Sequence, residues 1–199
     1  MRPGIVTLIG TVAVTLIAVC VSQSQSSQSS STVKAETSSK PLLLEKNEGE
    51  ERIWRDPPPG GFMLKVSPKN NGSEHLVFGT EVLSPGETIP RHKHLRQDEI
   101  LLIQTGTAHI QLGKRERDLH AGGLVFIPAN TWVSLKNAGT EPINLAFIFS
   151  APGFEDYMRC VSVPANEKPT PTTAEEERQC EHEGHVVYRD MKEGQEIKK

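Results

Sequence analysis

Between residues 61 and 149, hydrophobic positions form short runs that are interrupted by glycine, proline and asparagine. Such runs, rich in valine, isoleucine and phenylalanine, predict β-strands. The predicted strands cover residues 61–66, 76–83, 99–104, 107–112, 124–127, 131–135 and 142–149, with a further strand through His92 and His94. Because no helical period runs through this stretch, the pattern predicts an all-β fold, and a two-sheet jelly roll buries such strands while limiting exposed edges.

The turns between these strands carry their own signals. The sequence Asn-Asn-Gly at residues 70–72 predicts a tight hairpin, and Ser-Pro-Gly at residues 84–86 predicts a second turn. Both lie between hydrophobic runs, so we expect them to join neighbouring strands.

The pattern changes after residue 150. Phe154, Tyr157 and Met158 have the spacing of one helical turn. Either Thr172 or Thr173 is a candidate cap for a short helix that begins with the acidic residues 174–177. Residues 185–188 are a candidate last strand, and the charged tail beyond residue 190 is expected to fray.

The N-terminal region differs in composition from the rest. Arg2 precedes an uncharged apolar run at residues 5–21, which predicts a signal peptide or a single membrane anchor. Residues 22–40 are rich in serine and glutamine and predict a flexible linker. We therefore expect export to the periplasm, the cell exterior or a membrane-anchored location; cleavage, lipidation at Cys20 and retention stay open.

These boundaries give a domain organisation. It comprises the export segment (1–21), the linker (22–40), a β-barrel (41–155, with its core at 75–150) and a C-terminal extension (156–199). The chain has 22 Lys plus Arg against 25 Asp plus Glu, which gives no electrostatic case for nucleic-acid binding. The expected partner is a small molecule. A membrane tether through the N-terminal segment and a homodimer are further possibilities.

Two cysteines lie in the C-terminal part of the chain, at Cys160 and Cys180. In an exported protein such a pair predicts a disulfide, and the alternative is two buried thiols.

One segment concentrates metal-binding side chains. His92, His94 and Glu99 lie within eight positions, and the two-residue period of a strand points both imidazoles to one face. A turn at residues 97–98 followed by a new strand would form a hairpin that brings Glu99 opposite the histidines. Two imidazoles and a carboxylate suit a divalent transition metal; the alternative is a solvated strand face with a surface acid.

The spacing of these residues resembles the first motif of the cupin superfamily. Every position of that motif, G-x5-H-x-H-x4-E-x6-G, is filled here by Gly86, His92, His94, Glu99 and Gly106. The second motif is partial, with Gly122, Pro128 and Asn137 at matching positions, Asn130 in place of a glycine and Val133 in place of the fourth histidine ligand. Among cupins, the chain resembles the single-domain, type-2, quercetin-dioxygenase-like members. The resemblance implies a double-stranded β-helix.

The resemblance also implies a site. His92, His94 and Glu99 would point into the barrel and bind Fe, Mn, Ni, Cu or Zn. The candidates for a compensating fourth ligand are His109, His120, His182 and His185. Residues on strands around the site form a candidate pocket, with an ordinary core role as the alternative: Val133, Trp132, Phe126, Phe147.

Two function classes compete for such a site. One is a metal-dependent dioxygenase acting on a small aromatic or enol substrate, in which Glu99 doubles as the catalytic base. The other is a cupin that binds a small ligand without turnover, with or without metal. Sugar isomerase or epimerase chemistry is a weaker third option.

Overall fold

The computed structural model describes residues 39–70 and 72–188, which all belong to one compact unit, Glu36–Lys199. The predicted export segment, all but the last two residues of the predicted linker and the charged tail lie outside the described residues. Within the described ranges, none of the helices combines the length and the apolar character that crossing a membrane requires.

The described part of the chain is built almost entirely from strands. In chain order the elements are β1 (Glu50–Trp54), β2 (Gly61–Val66), a 3-10 helix (Pro68–Asn70), β3 (Val77–Leu83), β4 (Thr88–His94), β5 (Glu99–Thr105), β6 (Thr107–Leu112), β7 (Arg115–His120), β8 (Leu124–Ile127), β9 (Val133–Asn137), β10 (Ile143–Phe149), α1 (Phe154–Cys160), β11 (Ser162–Pro164), α2 (Ala174–Glu183) and β12 (Val186–Tyr188).

The strands form two sheets that face each other. One sheet has seven strands in the order β11-β1-β2-β3-β10-β5-β8, and the other has five in the order β12-β4-β9-β6-β7. All pairs are antiparallel, and the two inward faces meet in one core in which Leu64, Ile103, Leu135 and Leu145 are at most 1% exposed. The predicted all-β jelly-roll barrel with a short helical C-terminal extension is confirmed.

The predicted strands differ from the observed ones in a few places. The tight hairpin predicted at residues 70–72 is wrong, because the chain leaves β2 through the 3-10 helix and the Gly72 N–H donates to Ser67 O. The strand predicted at residues 131–135 is Val133–Asn137, because Thr131 N–H closes a turn on Pro128 O. Strand β7 is not among the predicted strands, because its mostly exposed polar sequence at the sheet edge carries no hydrophobic period.

The C-terminal extension contributes to both sheets. Strand β11 pairs with β1, and β12 pairs with β4. The predicted disulfide is present and joins Cys160 at the end of α1 to Cys180 in α2. Thr173, and not Thr172, caps α2, because its side chain accepts from Glu176 N–H while the Glu176 carboxylate accepts from Thr173 N–H.

Candidate metal centre

The two histidines lie on one face of β4, as the strand period predicts. His92 is 5% exposed and His94 is 1% exposed. Glu99, the first residue of β5, is 5% exposed. All three side chains are therefore enclosed in the barrel and are not on a solvated strand face.

The predicted hairpin between the two strands is wrong. Strand β4 pairs with β9 and β12 in one sheet, whereas β5 pairs with β10 and β8 in the other. Residues 95–98 cross between the sheets, so the carboxylate approaches the imidazoles across the interior of the barrel. Glu99 Oε2 lies 3.1 Å from His94 Nε2.

Hydrogen bonding fixes the protonation of His92. Its Nδ1 lies 2.7 Å from Pro90 O, and a carbonyl oxygen only accepts, so Nδ1 carries the proton. Burial and, to a lesser extent, the neighbouring His94 lower the pKa of His92 from 6.5 to about 4. The imidazole is therefore neutral near pH 7 with its Nε2 lone pair free, which is the form that ligates metals.

The three side chains fit a divalent metal. One donor atom from each of His92, His94 and Glu99 lies within 4.8 Å of the others, and no other such group of histidine, cysteine and acidic residues occurs in the described ranges. A metal between His94 Nε2 and the carboxylate would replace their mutual hydrogen bond. Two imidazoles and one carboxylate are also the donor set of non-haem iron sites.

The candidate fourth ligands do not join this group. His109 Nδ1 contacts Asp118 Oδ1 at 2.7 Å on the outer face of the five-stranded sheet, and His120 Nδ1 contacts the Thr107 hydroxyl. Cys180 is bonded to Cys160, so its sulfur is not available to bind a metal together with His182 and His185. Val133 is buried beside His92 in the β4–β9 register and offers no donor atom.

A second-motif feature does behave as the resemblance implies. Asn130, which replaces a glycine, adopts the left-handed backbone at φ 63° that asparagine tolerates. Its N–H donates to His94 O at 2.7 Å, so the loop before β9 anchors the end of the strand that carries both histidines.

Two members of the metal-ligand group, His92 and Glu99, line a cavity of about 460 Å³ in the barrel. Val133 and Phe147, two of the candidate pocket residues, line the same cavity. Most of the other lining side chains come from the inward faces of both sheets and from the C-terminal extension, and they include Leu101, Leu135, Leu145, Phe149, Phe154 and Met158.

Two predicted pocket residues lie outside the cavity. Phe126 is 53% exposed, because alternation in β8 turns it to the outer face and its neighbours Val125 and Ile127 inward. Trp132 packs outside the barrel, where Lys93 Nζ lies 5.1 Å from its ring centroid. The pocket prediction is wrong for these two residues.

Polar residues that the sequence did not predict also line the cavity, among them Glu81 and two tyrosines. Glu81 lies on the inward face of β3 with Val77, Gly79 and Leu83, and an acid in that alternating apolar row was the available signal. Burial, together with the negative charge of Glu99, raises the pKa of Glu81 to about 8.

The two tyrosines belong to the C-terminal extension, Tyr157 in α1 and Tyr188 in β12. Their phenol groups are hydrogen-bonded to each other, and burial raises the pKa of both. No sequence signal places β12 beside β4, since three residues carry little periodicity.

Comparison with known proteins decides the family. Residues 79–149 match the Cupin domain family. These residues form a cupin domain. The matched segment contains His92, His94, Glu99 and Val133 but excludes both cavity tyrosines.

Curated relatives of this cupin match it over short regions. It is 35% identical over 86 residues to mannose-1-phosphate guanylyltransferase from Salmonella muenchen, a match that covers 43% of this chain and 18% of that protein. It is 26% identical over 110 residues to gentisate 1,2-dioxygenase from a Ralstonia species, covering 52% of this chain and 30% of that enzyme. The chain thus spans less than a third of the length of either protein.

A solved structure supports the fold. A predicted oxalate decarboxylase from Thermotoga maritima superposes with a TM-score of 0.50 at 18% sequence identity, covering 56% of this chain and all of that one. At this identity the similarity concerns the barrel and not its chemistry.

Proposed function

We propose that the protein binds one divalent transition metal through His92, His94 and Glu99 and a small organic molecule beside it. The observation that carries this proposal is the buried group of three donors at the wall of a preformed cavity. Small-molecule sites are typically apolar cavities with a few converging polar groups, and this cavity has that composition.

Each of these residues has a distinct role at such a site. His92 and His94 are neutral donors, and Glu99 adds the one negative charge of the ligand set. Val133 leaves the neighbouring position without a ligand atom, so coordination positions stay open toward the cavity. A bound metal would supply a Lewis acid and, if redox-active, a place where dioxygen and an organic oxygen atom meet. The phenylalanine and leucine side chains of the lining exclude water from that place.

We infer that the chemistry is that of a dioxygenase acting on a small aromatic or enol substrate. Two features support this: the donor set of two histidines and one carboxylate, and the similarity of half of this chain to a gentisate 1,2-dioxygenase. In this proposal both atoms of dioxygen enter the product, so no separate reductant is required. Glu99 is the candidate base for the substrate hydroxyl proton.

A second candidate is a binding cupin without turnover. The observation that favours it is Val133, because a three-ligand site holds its metal less firmly than a four-ligand one. The two candidates differ in dioxygen consumption and agree in ligand binding.

Export of the protein is part of the proposal. The disulfide between Cys160 and Cys180 points to an oxidising compartment, since such bonds are rare in the reducing cytosol. The uncharged N-terminal run is the candidate export signal.

The test is dioxygen uptake by the purified protein after separate loading with Fe(II), Mn(II), Ni(II), Cu(II) or Zn(II). Catechols, flavonols and enediols are supplied in turn. The proposal predicts uptake with at least one redox-active metal and its loss in Glu99→Gln, with His109→Ala as an exposed-histidine control. Ligand binding without uptake would favour the binding cupin. Failure to bind either metal or ligand would overturn both candidates.

A further inference from the structure

The charged residues that line the cavity are of one sign. Its acidic residues are Asp56, Glu81, Glu87, Glu99 and Glu177. Among the lining residues in the described part of the chain there is no lysine or arginine. Glu99 belongs to the metal-ligand group, Asp56 accepts hydrogen bonds from Thr172, and Glu87 Oε2 accepts one from Ser84 N–H. Glu177 is exposed, so Glu81 is the acid left to meet a ligand.

Glu81 is a partly buried acid on the inward face of its strand. It lies in β3 opposite Phe62 of β2 and Leu145 of β10, and its carboxylate accepts a hydrogen bond from the Trp54 indole. Its electrostatic neighbours are the carboxylates Glu99 and Glu87, so no basic side chain balances its charge. Burying a carboxylate without a cation is costly, so the Glu81 carboxyl keeps its proton up to about pH 8 in the empty cavity. A positively charged ligand group would stabilise its ionised form.

Several aromatic side chains line the same cavity as Glu81. Trp54, Tyr157, Tyr188 and Phe147 all line the cavity. A Cβ atom built at Gly60 would lie 3.6 Å from the Trp54 ring and 3.9 Å from Glu87 Oε1. The indole and a second carboxylate therefore flank the same part of the cavity wall. Carboxylates and aromatic rings that line one cavity are a combination that recognises an ammonium group.

We propose that the cavity is selective for an arylalkylamine, whose ammonium group lies at Glu81 while its ring lies among the apolar side chains toward the metal-ligand group. Glu81 is then a specificity-determining residue, and carboxylate ligands are rejected by the acidic lining. The orientation of the ring rests on the proposed metal site; the charge preference does not.

The test uses three ligands that share one phenol ring: tyramine as the cation, tyrosol as the neutral analogue and 4-hydroxyphenylacetate as the anion. Calorimetric titration is carried out on protein loaded with redox-inert Zn(II) and on metal-free protein. We expect tyramine to bind at least tenfold more tightly than 4-hydroxyphenylacetate in both forms. Glu81→Gln should cut the tyramine affinity about tenfold and leave tyrosol unchanged, while the exposed control Glu141→Gln should match wild type.

The outcomes separate this inference from the proposed function. Anion binding as tight as that of the amine, no binding of any of the three, or an unchanged tyramine affinity in folded Glu81→Gln would overturn charge selection. The ligand order in the wild type decides the matter even where Glu81→Gln fails to fold. Charge selection in a protein that takes up no metal would overturn the metal proposal alone, and Zn(II) binding without charge selection would overturn this inference alone.

Discussion

Tyr188 stacks on His92, with ring centroids 5.3 Å apart and ring planes at 29°. The two residues are also direct partners in the β12–β4 register. The C-terminal extension, which lies beyond the matched cupin segment at residues 79–149, thereby packs against a candidate metal ligand. The wall of the site is thus shared between the barrel and its extension.

The stacked ring should help to hold His92 in its ligating orientation. We expect Tyr188→Ala to weaken metal binding about tenfold, the lower end of the effect seen when groups that orient metal ligands are lost. Tyr188→Phe keeps the ring and should stay close to wild type. Competition with a chromophoric chelator measures both affinities, and equal losses in the two variants would show that stacking does not orient the imidazole.

The disulfide should stabilise the extension. Removing it in Cys160→Ser with Cys180→Ser releases a loop whose ends are 20 residues apart, which should lower the free energy of unfolding by about 3 kcal/mol. Urea unfolding of the double variant and of reduced wild type should agree. Free thiols at both positions in protein recovered from an oxidising compartment would contradict the bond itself.

A substitution at Val133 tests whether a fourth metal ligand can be supplied. It is 1% exposed, lines the cavity and pairs with His92 in the β4–β9 register. Val133→His should add a donor and tighten metal binding about tenfold or more, where each factor of ten is about 1.4 kcal/mol. Overpacking should lower stability by about 1 to 3 kcal/mol.

Metal titration of Val133→His is paired with a melting curve on each protein. A folded Val133→His variant whose affinity does not rise would mean that residue 133 does not reach the metal or that another group already fills the fourth position.

Glu81 should give the metal-free protein a distinctive pH dependence. Its pKa is raised from 4.5 to about 8 on folding, so the unfolded state releases its proton first as pH rises. The loss of folding stability caused by Glu81 is absent below pH 4.5. It grows by at most about 1.4 kcal/mol per pH unit above that and levels off above pH 8. Glu81→Gln should therefore gain stability over wild type at pH 8 but not at pH 4. Parallel unfolding curves at the two pH values measure this difference.

The sequence predicts most of the barrel because its inward residues repeat with a strict period. Strands β2, β6 and β8 match the predicted bounds, and the spacing of His92, His94 and Glu99 predicts their grouping. That spacing does not predict which sheet each strand joins, because pairing depends on contacts between segments far apart in sequence. The predicted β4–β5 hairpin is wrong for this reason.

The same limit applies to the cavity wall. Phe126 and Trp132 have the residue types of a pocket, yet strand alternation and the bend before β9 place them outside. Glu81 and Tyr188 reach the cavity through pairings with β10 and β4 that leave no local signal. The ligands could thus be predicted from a local motif, whereas the polar groups facing a substrate depend on long-range topology.

The most direct test of the account is the metal content of the purified protein, measured by elemental analysis against protein concentration. We predict one divalent transition metal per chain in wild type, none in His92→Ala with His94→Ala, and an unchanged content in the matched exposed pair His109→Ala with His120→Ala. Near-ultraviolet circular dichroism checks that all three proteins are folded. Equal metal content in the two double variants, or a wild type that takes up no metal on reconstitution, would contradict the proposed centre.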